Sequence, residues 1–261
     1  EEHDRFRRHA LGQFVMLLVV GGGVRLDAVA GGAHQLEDAQ AGCIEGRLRD
    51  QQQRKAIGEV ENAFLAAPFE ADGWNAALRL LARRTRSSRA QLLGIGDAAT
   101  LFNFLPDIDT AYQREFEEIE GWRPDVNWRV AVSARPLEIL SEAHYDIARQ
   151  HSGTDDYEEH IRRWDGVHGC QTTLVEGEGL LVGLAALRSE DDGRTEQRDR
   201  KLFAAGATCA LAAVRMQQAI AQRGAAMTVG AFDAIGVAAF LIDRHGAVAA
   251  LSAAAEAIVG A

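Results

Sequence analysis

Hydrophobic residues first recur with a helical period near residue 55. Ile57, Val60, Phe64 and Leu65 fall on one face of a helix, and Pro68 interrupts that pattern. A second helix is predicted to begin at Asp72, a residue type that often caps helices. Its inward positions are Trp74, Leu78, Leu81 and Ala82. We expect the two helices together to cover one face of a sheet.

Short apolar runs without a helical period predict strands in two groups. Residues 90–95 and 100–105 are separated by Gly96 and Asp97, which is typical of a hairpin. Residues 166–174 and 179–187 flank a glycine-containing turn and are long enough for two or three strands. Because hairpins connect the runs within each group, the sheet is predicted to be antiparallel.

Helical patterns occupy the segment between the two strand groups. Residues 108–120 form one amphipathic pattern with Phe116 on its buried side. Residues 154–163 form another, with Tyr157 facing inward. Together with the strands, these patterns predict an α+β fold in which helices flank an antiparallel sheet.

A long helical pattern follows the second strand group, from Asp199 to Arg223, and Thr195 is predicted to cap it. Small and apolar residues recur there at alternating steps of four and three, the spacing of a seam between helices. These positions are Leu202, Gly206, Cys209, Ala213, Met216 and Ile220. The seam fits packing on the protein's own sheet or contact with a second copy, and we expect a homodimer.

The two ends of the chain differ from this central region. Residues 1–54 mix glycine-rich runs with no sustained period and are predicted to be a poorly ordered extension. Their basic start and short apolar core are also found in signal peptides, but residues 24–26 do not form a small-residue cleavage site. Residues 226–261 predict a helical start, two strands joined by a turn, and a helix of small residues. The predicted domains are therefore 1–54, 55–223 with a connecting helix at 195–223, and 224–261.

Composition and charge exclude several classes of protein. The chain has 261 residues, of which 47% are hydrophobic and 25% charged, as in ordinary globular proteins. The formal net charge of -10 argues against a nucleic-acid surface within these residues, because phosphate binding needs clustered Lys and Arg. The three cysteines lie far apart without a CxxC pair, so we expect a reducing cytoplasm. The longest apolar run, residues 14–24, is shorter than the roughly 20 residues of a transmembrane helix, so no membrane contact is predicted.

Candidate chemical groups crowd between residues 144 and 170. Asp156 and His160 share an i, i+4 spacing, but no second His or Cys stands at helical spacing from His160, so no metal site is predicted. His168 and Cys170 fall on the same face of a predicted strand, which makes a thiol or redox enzyme one alternative. Cys170 also begins an apolar run, which favours a buried cysteine. We predict no catalytic residues. We also predict no cofactor, because the glycine-rich runs match no phosphate-binding motif.

Aromatic residues between the two strand groups give the better indication of a site. Concave surfaces lined by aromatic rings and a few polar groups are typical of small-molecule sites. Large aromatics are also ordinary core residues, so a plain core is the competing interpretation. The predicted ligand-binding residues are Phe116, Trp122, Trp128, Tyr145 and Trp164.

The order of these elements from residue 60 to 223 resembles a GAF-like sensor domain. More narrowly, Trp74 with its following LRLLA, SEAHYDIARQ at 141–150 and DDYEEHIRRWDGVHG at 155–169 resemble the sensory half of LuxR-type transcriptional regulators. The runs FDAIGV, FLIDRHG and SAAAE within residues 232–256 resemble the start of a PAS domain, with Ser252 where that family usually has Asn.

This resemblance implies a cytoplasmic regulator that binds a small molecule with its GAF-like region. Occupancy would alter the connecting helix and thereby a C-terminal helix-turn-helix domain that contacts DNA and is absent from this chain. A ligand-free interaction or dimerisation module is the remaining alternative, beside the thiol enzyme that would use Cys170 and His168.

Overall fold

The structure, a computed structural model, describes residues 46–48, 50–96, 99–132, 135–177, 179–242 and 248–260. The chain divides into two compact units, residues 1–52 and 53–261. The second unit contains the central sheet and the helices that cover it. The predicted extension and the signal-peptide alternative fall almost entirely outside the described residues, and the predicted domain boundaries stay a prediction.

Two helices and a short connection open this unit, as the apolar period predicts. Within this unit residues 53–66 are helical (α1), a 3-10 turn follows at Ala67–Phe69, and helix α2 covers Gly73–Arg84. The placement of Leu65 on the buried face is wrong: it lies about 100° around the helix from Phe64 and is 39% exposed. Asp72 is the N-cap residue of α2, but its side chain accepts hydrogen bonds from Asn75 and Arg79 instead of the helix backbone.

A five-stranded sheet forms the centre of the fold, with the order β2-β1-β5-β4-β3. All neighbouring strands are antiparallel, which confirms the predicted antiparallel sheet. The short strand β3 was not predicted, because two residues carry no periodic signal; it pairs Leu140 with Gln171 and Ser141 with Cys170. The strands are β1 (Arg89–Gly96), β2 (Thr100–Phe104), β3 (Leu140–Ser141), β4 (His168–Gly177) and β5 (Leu180–Arg188).

Alternation along the strands creates two unlike faces of the sheet. Ala90, Leu92, Leu184 and Ala186 point to one face and pack with α1 and α2 in the main hydrophobic core. The other face is covered by four shorter helices that lie between the strand groups. These are α3 (Thr110–Glu118), α4 (Trp128–Ala131), α5 (Glu142–Ala148) and α6 (Asp155–Arg163).

The long helix α7 covers Gln197–Ala234. The predicted end at Arg223 is wrong: the helix continues through Gly224 and Gly230, each of which weakens a helix only modestly, and ends at Ala234. Gly236 has a φ of +67° and closes the helix in a Schellman motif, in which the Val237 N–H donates to the Phe232 carbonyl at 3.0 Å. The predicted cap is also wrong: Glu196 is the N-cap residue, and Thr195 binds elsewhere.

Only the first half of α7 packs on the sheet. Leu202, Gly206 and Ala213 of the predicted seam are buried, whereas Ile220 is 43% exposed. Packing on the protein's own sheet therefore accounts for the first half of the seam. Contact of the second half with another copy stays a prediction.

A small hairpin and helix follow α7: β6 (Phe240–Ile242), β7 (Val248–Leu251) and α8 (Ala253–Val259). They confirm the predicted order of strand, strand and helix. The buried Ser252 ties them together, because its hydroxyl accepts from the Ala239 N–H at 2.8 Å and donates to the Val237 carbonyl at 3.0 Å. It also caps α8 by accepting from the Ala255 N–H. The likeness of this segment to a PAS domain stays a prediction.

Candidate functional site

A cavity of about 70 Å³ lies between the sheet and the helices α3, α4 and α6. Such a volume accommodates several waters or a small organic group. Tyr112 and Phe116 of α3, Arg129 of α4 and Tyr157 of α6 form its helical wall. The cavity therefore occupies the layer in which the aromatic residues led us to expect a site.

The sheet supplies the opposite wall through alternate residues of three strands. Leu93, Gly183 and Thr173 stand side by side in register on β1, β5 and β4. Because Gly183 has no side chain, it leaves space between its larger neighbours; a Cβ added there meets only the Thr172 carbonyl, at 3.9 Å. The other residues on this face are Gln91, Ile95, Gln171, Leu181, Ala185 and Leu187; Thr172 and Leu184, which belong to the opposite face, also border the cavity.

Asn127 fixes the position of α4 beside the cavity. Its side-chain oxygen accepts from the backbone N–H groups of Arg129 at 2.9 Å and Val130 at 3.3 Å, which caps the helix. Its amide nitrogen donates to the Gly121 carbonyl at 2.6 Å. The Arg129 side chain is consequently presented at the cavity from a backbone that is held at several points.

The Arg129 guanidinium is anchored on one side only. Its Nη2 donates to the Gly166 carbonyl and, at 3.4 Å, to that of His168. The guanidinium carbon lies 4.9 Å from the centre of the Trp128 ring and 5.3 Å from that of Tyr145, within cation–π range. Its Nε is buried and has no hydrogen-bond partner among the described residues.

Uncharged polar groups line the rest of the cavity. The Tyr145 hydroxyl donates to the Gln171 side-chain oxygen at 3.2 Å, and the Gln171 nitrogen donates to the Arg129 carbonyl at 2.7 Å. The Gln91 nitrogen donates to the Asn103 side-chain oxygen at 2.9 Å. These bonds hold both glutamine side chains on the sheet, so their orientations are set before any ligand enters.

The tyrosines around the cavity are neutral hydrogen-bonding groups. Burial raises the pKa values of Tyr112, Tyr145 and Tyr157, and the nearby positive charge of Arg129 only partly opposes that effect. Each phenol therefore keeps its proton near neutral pH. Tyr112 and Tyr157 line the cavity and present their rings and hydroxyls to it.

His160 lies behind this aromatic wall. Its ring centre is 4.7 Å from that of Tyr112, and its Nδ1 is 3.2 Å from the Glu115 Oε1, without hydrogen-bond geometry. Burial lowers the pKa of His160, and the Glu115 carboxylate opposes this only in part. The imidazole is therefore uncharged near neutral pH and acts as part of the packing.

The predicted site residues occupy different places around the cavity. Phe116 lines it, whereas Trp122, Trp128, Tyr145 and Trp164 pack outside the lining shell. Trp128 is fully buried, with its ring centre 5.0 Å from that of Tyr145. The binding role of these five residues stays a prediction.

Sequence reasoning missed several residues that line the cavity, including Gln91, Arg129 and Gln171. A usable signal was present for Gln91, which stands between the apolar Ala90 and Leu92 on a strand whose other face is core. Arg129 carries no such signal: one arginine in a loop-like segment does not reveal which way it points.

The alternative chemistry at Cys170 lacks the activation that a thiol enzyme needs. Cys170 is 1% exposed and belongs to the core on the opposite side of the sheet from the cavity. Burial raises its pKa strongly, which keeps the thiol protonated and unreactive. The imidazole of His168 instead lies 3.6 Å from the Glu190 carboxylate.

In the part of the chain that the structure describes, no group of three or more His, Cys, Asp or Glu residues stands close enough to hold a metal ion. None of the helices in those ranges combines the length and hydrophobicity needed to cross a membrane.

Comparisons with known proteins add little to this geometry. No protein-family model and no curated protein matches the chain. The solved structures that match include one described as the N-acylhomoserine lactone dependent LuxR family transcription factor CepR2 from Burkholderia cenocepacia. It is 14% identical, with a TM-score of 0.47 over 64% of this chain and 99% of that chain. At this level the likeness carries no conclusion about function.

Proposed function

We propose that this chain is the ligand-sensing region of a bacterial transcription regulator. A small molecule binds in the cavity between the sheet and α3, α4 and α6. The observation that carries the proposal is the cavity itself. Its lining combines apolar side chains with polar groups, and hydrogen bonds fix the orientation of two of these, Gln91 and Gln171. Concave sites of this composition suit small-molecule binding.

The proposed effect of a ligand on regulation depends on helix α5, which lies between the cavity and the start of α7. Helix α5 contributes Tyr145, which binds Gln171 of the cavity wall. The same helix contributes Glu142, whose carboxylate accepts hydrogen bonds from Thr195 immediately before α7. A ligand that shifts the cavity wall therefore changes the contacts that hold the start of the long helix. We propose that this helix leads to a DNA-binding domain outside this sequence and that the protein acts as a dimer.

The first experiment tests the cavity. Gly183→Val places a branched side chain in the space beside Leu93 and Thr173, where a strand tolerates valine well. Gly177→Val is the matched control, because Gly177 ends β4, is exposed and has nothing within 4 Å of an added Cβ. A library of small molecules is screened by thermal shift against the unaltered protein and both variants.

We expect compounds that raise the Tm of the unaltered protein and of Gly177→Val, but not of Gly183→Val. The same compounds should change promoter binding by the full-length protein. Ligands that stabilise Gly183→Val equally well would show that the binding site lies outside this cavity. Promoter binding that is identical with and without every stabilising compound would refute the regulatory role.

A further inference from the structure

We infer that the cavity takes a small organic anion, a monocarboxylate with a flat apolar body, and that the Arg129 guanidinium binds its carboxylate. This inference rests on the proposed function, since it names the class of ligand for the same site. It depends on three features of the cavity: its charge, its unused hydrogen-bond donors and the nature of its walls.

Charge is the first feature. Arg129 is the charged residue among those that line the cavity, and no carboxylate lines it. Within the described ranges no Asp or Glu forms an ion pair with Arg129, although neighbouring arginines are paired. Arg149 lies 3.2 Å from Glu158, and Arg163 lies 3.1 Å from Glu115. A partly buried cation without a counter-ion is unfavourable, and an anionic ligand would supply that counter-ion.

The donors of Arg129 are the second feature. Backbone carbonyls use Nη2, but Nε is buried and has no partner in the structure's described part, and no hydrogen bond of Nη1 is formed there either. A buried donor left unpaired costs about 1–3 kcal/mol. Because the Asn127 cap and the two carbonyls hold the arginine in place, a carboxylate oxygen would meet donors that are already oriented.

The walls are the third feature. Leu93, Phe116 and Leu187 provide apolar surface for a flat body, and the space above Gly183 keeps one side open. Tyr112 and Tyr157 are neutral phenols and so remain donors for a second carboxylate oxygen. A ligand with one charged end and one small apolar end matches this division of the cavity.

Benzoate and benzamide separate the contribution of charge from that of shape. They have the same planar outline, but only benzoate is an anion at neutral pH. Titration calorimetry and thermal shift on the unaltered protein should show benzoate binding at least about tenfold more tightly, since charge-assisted hydrogen bonds exceed neutral ones. This comparison does not depend on whether any variant folds. Acetate and octanoate, with acetamide and octanamide, extend the pairs to smaller and larger bodies.

Arg129→Gln removes the charge and should weaken benzoate binding about tenfold or more, while leaving benzamide binding nearly unchanged. Arg135→Gln is the matched control: its side chain is 94% exposed, and benzoate should bind it as it binds the unaltered protein. Arg129→Lys should recover part of the affinity because it keeps the charge.

Each outcome decides between the two proposals. If the amides bind as tightly as their carboxylates, or if Arg129→Gln leaves benzoate binding intact, the anionic class is wrong and the cavity remains a site for a neutral ligand. If Gly183→Val does not affect benzoate binding, the cavity is not the site. If no carboxylate binds at about 10 mM, waters satisfy Arg129 and the inference is overturned.

Discussion

The Glu142 carboxylate binds Thr195 with both of its oxygens. Oε1 accepts from the Thr195 backbone N–H at 2.7 Å and from the Gly169 N–H at 3.0 Å, while Oε2 accepts from the Thr195 hydroxyl at 2.8 Å. A single buried side chain thus connects α5, β4 and the residues that lead into α7. This explains why Thr195, which the sequence suggested as a helix cap, instead precedes the cap.

Glu142→Gln should destabilise the protein by about 1–3 kcal/mol at pH 7, because an amide cannot accept all three bonds and leaves buried donors unpaired. Burial alone would raise the pKa of Glu142, but the bonds from Thr195 and Gly169 outweigh it and lower that pKa. The unfolded carboxyl titrates near 4.3, so its stabilising contribution is present above about pH 4.3 and is lost as the pH falls toward the lower folded value.

Urea unfolding at pH 7 and at lower pH measures this contribution. The unaltered protein should lose more stability on acidification than Glu142→Gln does. Glu138→Gln, at a side chain that is 50% exposed, should keep the full pH dependence. Identical pH dependence in all three proteins would show that the Glu142 bonds contribute nothing.

Two glycines of α7 should respond to alanine with opposite signs. A Cβ on Gly206 would lie 2.8 Å from the Val60 Cγ1, and a branched valine cannot easily move, so Gly206→Ala should destabilise by about 1–3 kcal/mol. Gly224 has nothing within 4 Å of an added Cβ, and Gly224→Ala should stabilise the helix by about 1 kcal/mol. Thermal unfolding followed by circular dichroism measures both; equal shifts would refute the close packing of α1 on α7.

His160 should make stability depend on pH in a separate range. Because burial lowers its pKa, the unfolded chain binds a proton more readily, and stability falls as the pH drops below about 6.5. His160→Phe keeps an aromatic ring against Tyr112 and Tyr157 but cannot be protonated. Its stability between pH 7 and 5 should therefore vary less than that of the unaltered protein.

His151→Asn is the control for that measurement, because His151 is exposed. It should reproduce the pH dependence of the unaltered protein. A His160→Phe protein that still loses the same stability over this range would place the responsible proton at another group.

The single thiol of Cys170 should resist modification in the folded protein. Cys43→Ser combined with Cys209→Ser leaves Cys170 as the only cysteine of the three. A chromogenic thiol reagent at pH 8 should detect essentially no thiol in native protein and one in urea, because burial raises the pKa and blocks access. Fast reaction of the native protein would restore the thiol-enzyme alternative.

The fold was largely predictable because its strands and helices have strong, local patterns. The apolar run at residues 90–95 indicates a strand, and the helical period through Phe64 indicates both a helix and its buried face. Strand β3 was missed since its pairing with β4 depends on residues about thirty positions later, not on its own two residues. The sequence around residues 140–141 therefore does not reveal the strand with which they pair.

The site was predictable only as a region. Large aromatics identified the layer that contains the cavity, but a ring beside a cavity and a ring behind it have the same sequence signal. Phe116 and Trp164 illustrate this: the first lines the cavity, while the second donates its indole N–H to Glu115 at 3.1 Å. Three-dimensional packing alone separates them.

The second half of α7 is a continuous helix that extends beyond the core. Each of residues 215–234 is exposed or half-buried, and as a continuous helix they extend about 30 Å. A tilt of the buried half by about five degrees would displace the far end by roughly 3 Å, with no change in the helix itself. Motions too small to disturb the core at Leu202 would thereby be magnified at Phe232, in the last turn of α7 before the terminal hairpin.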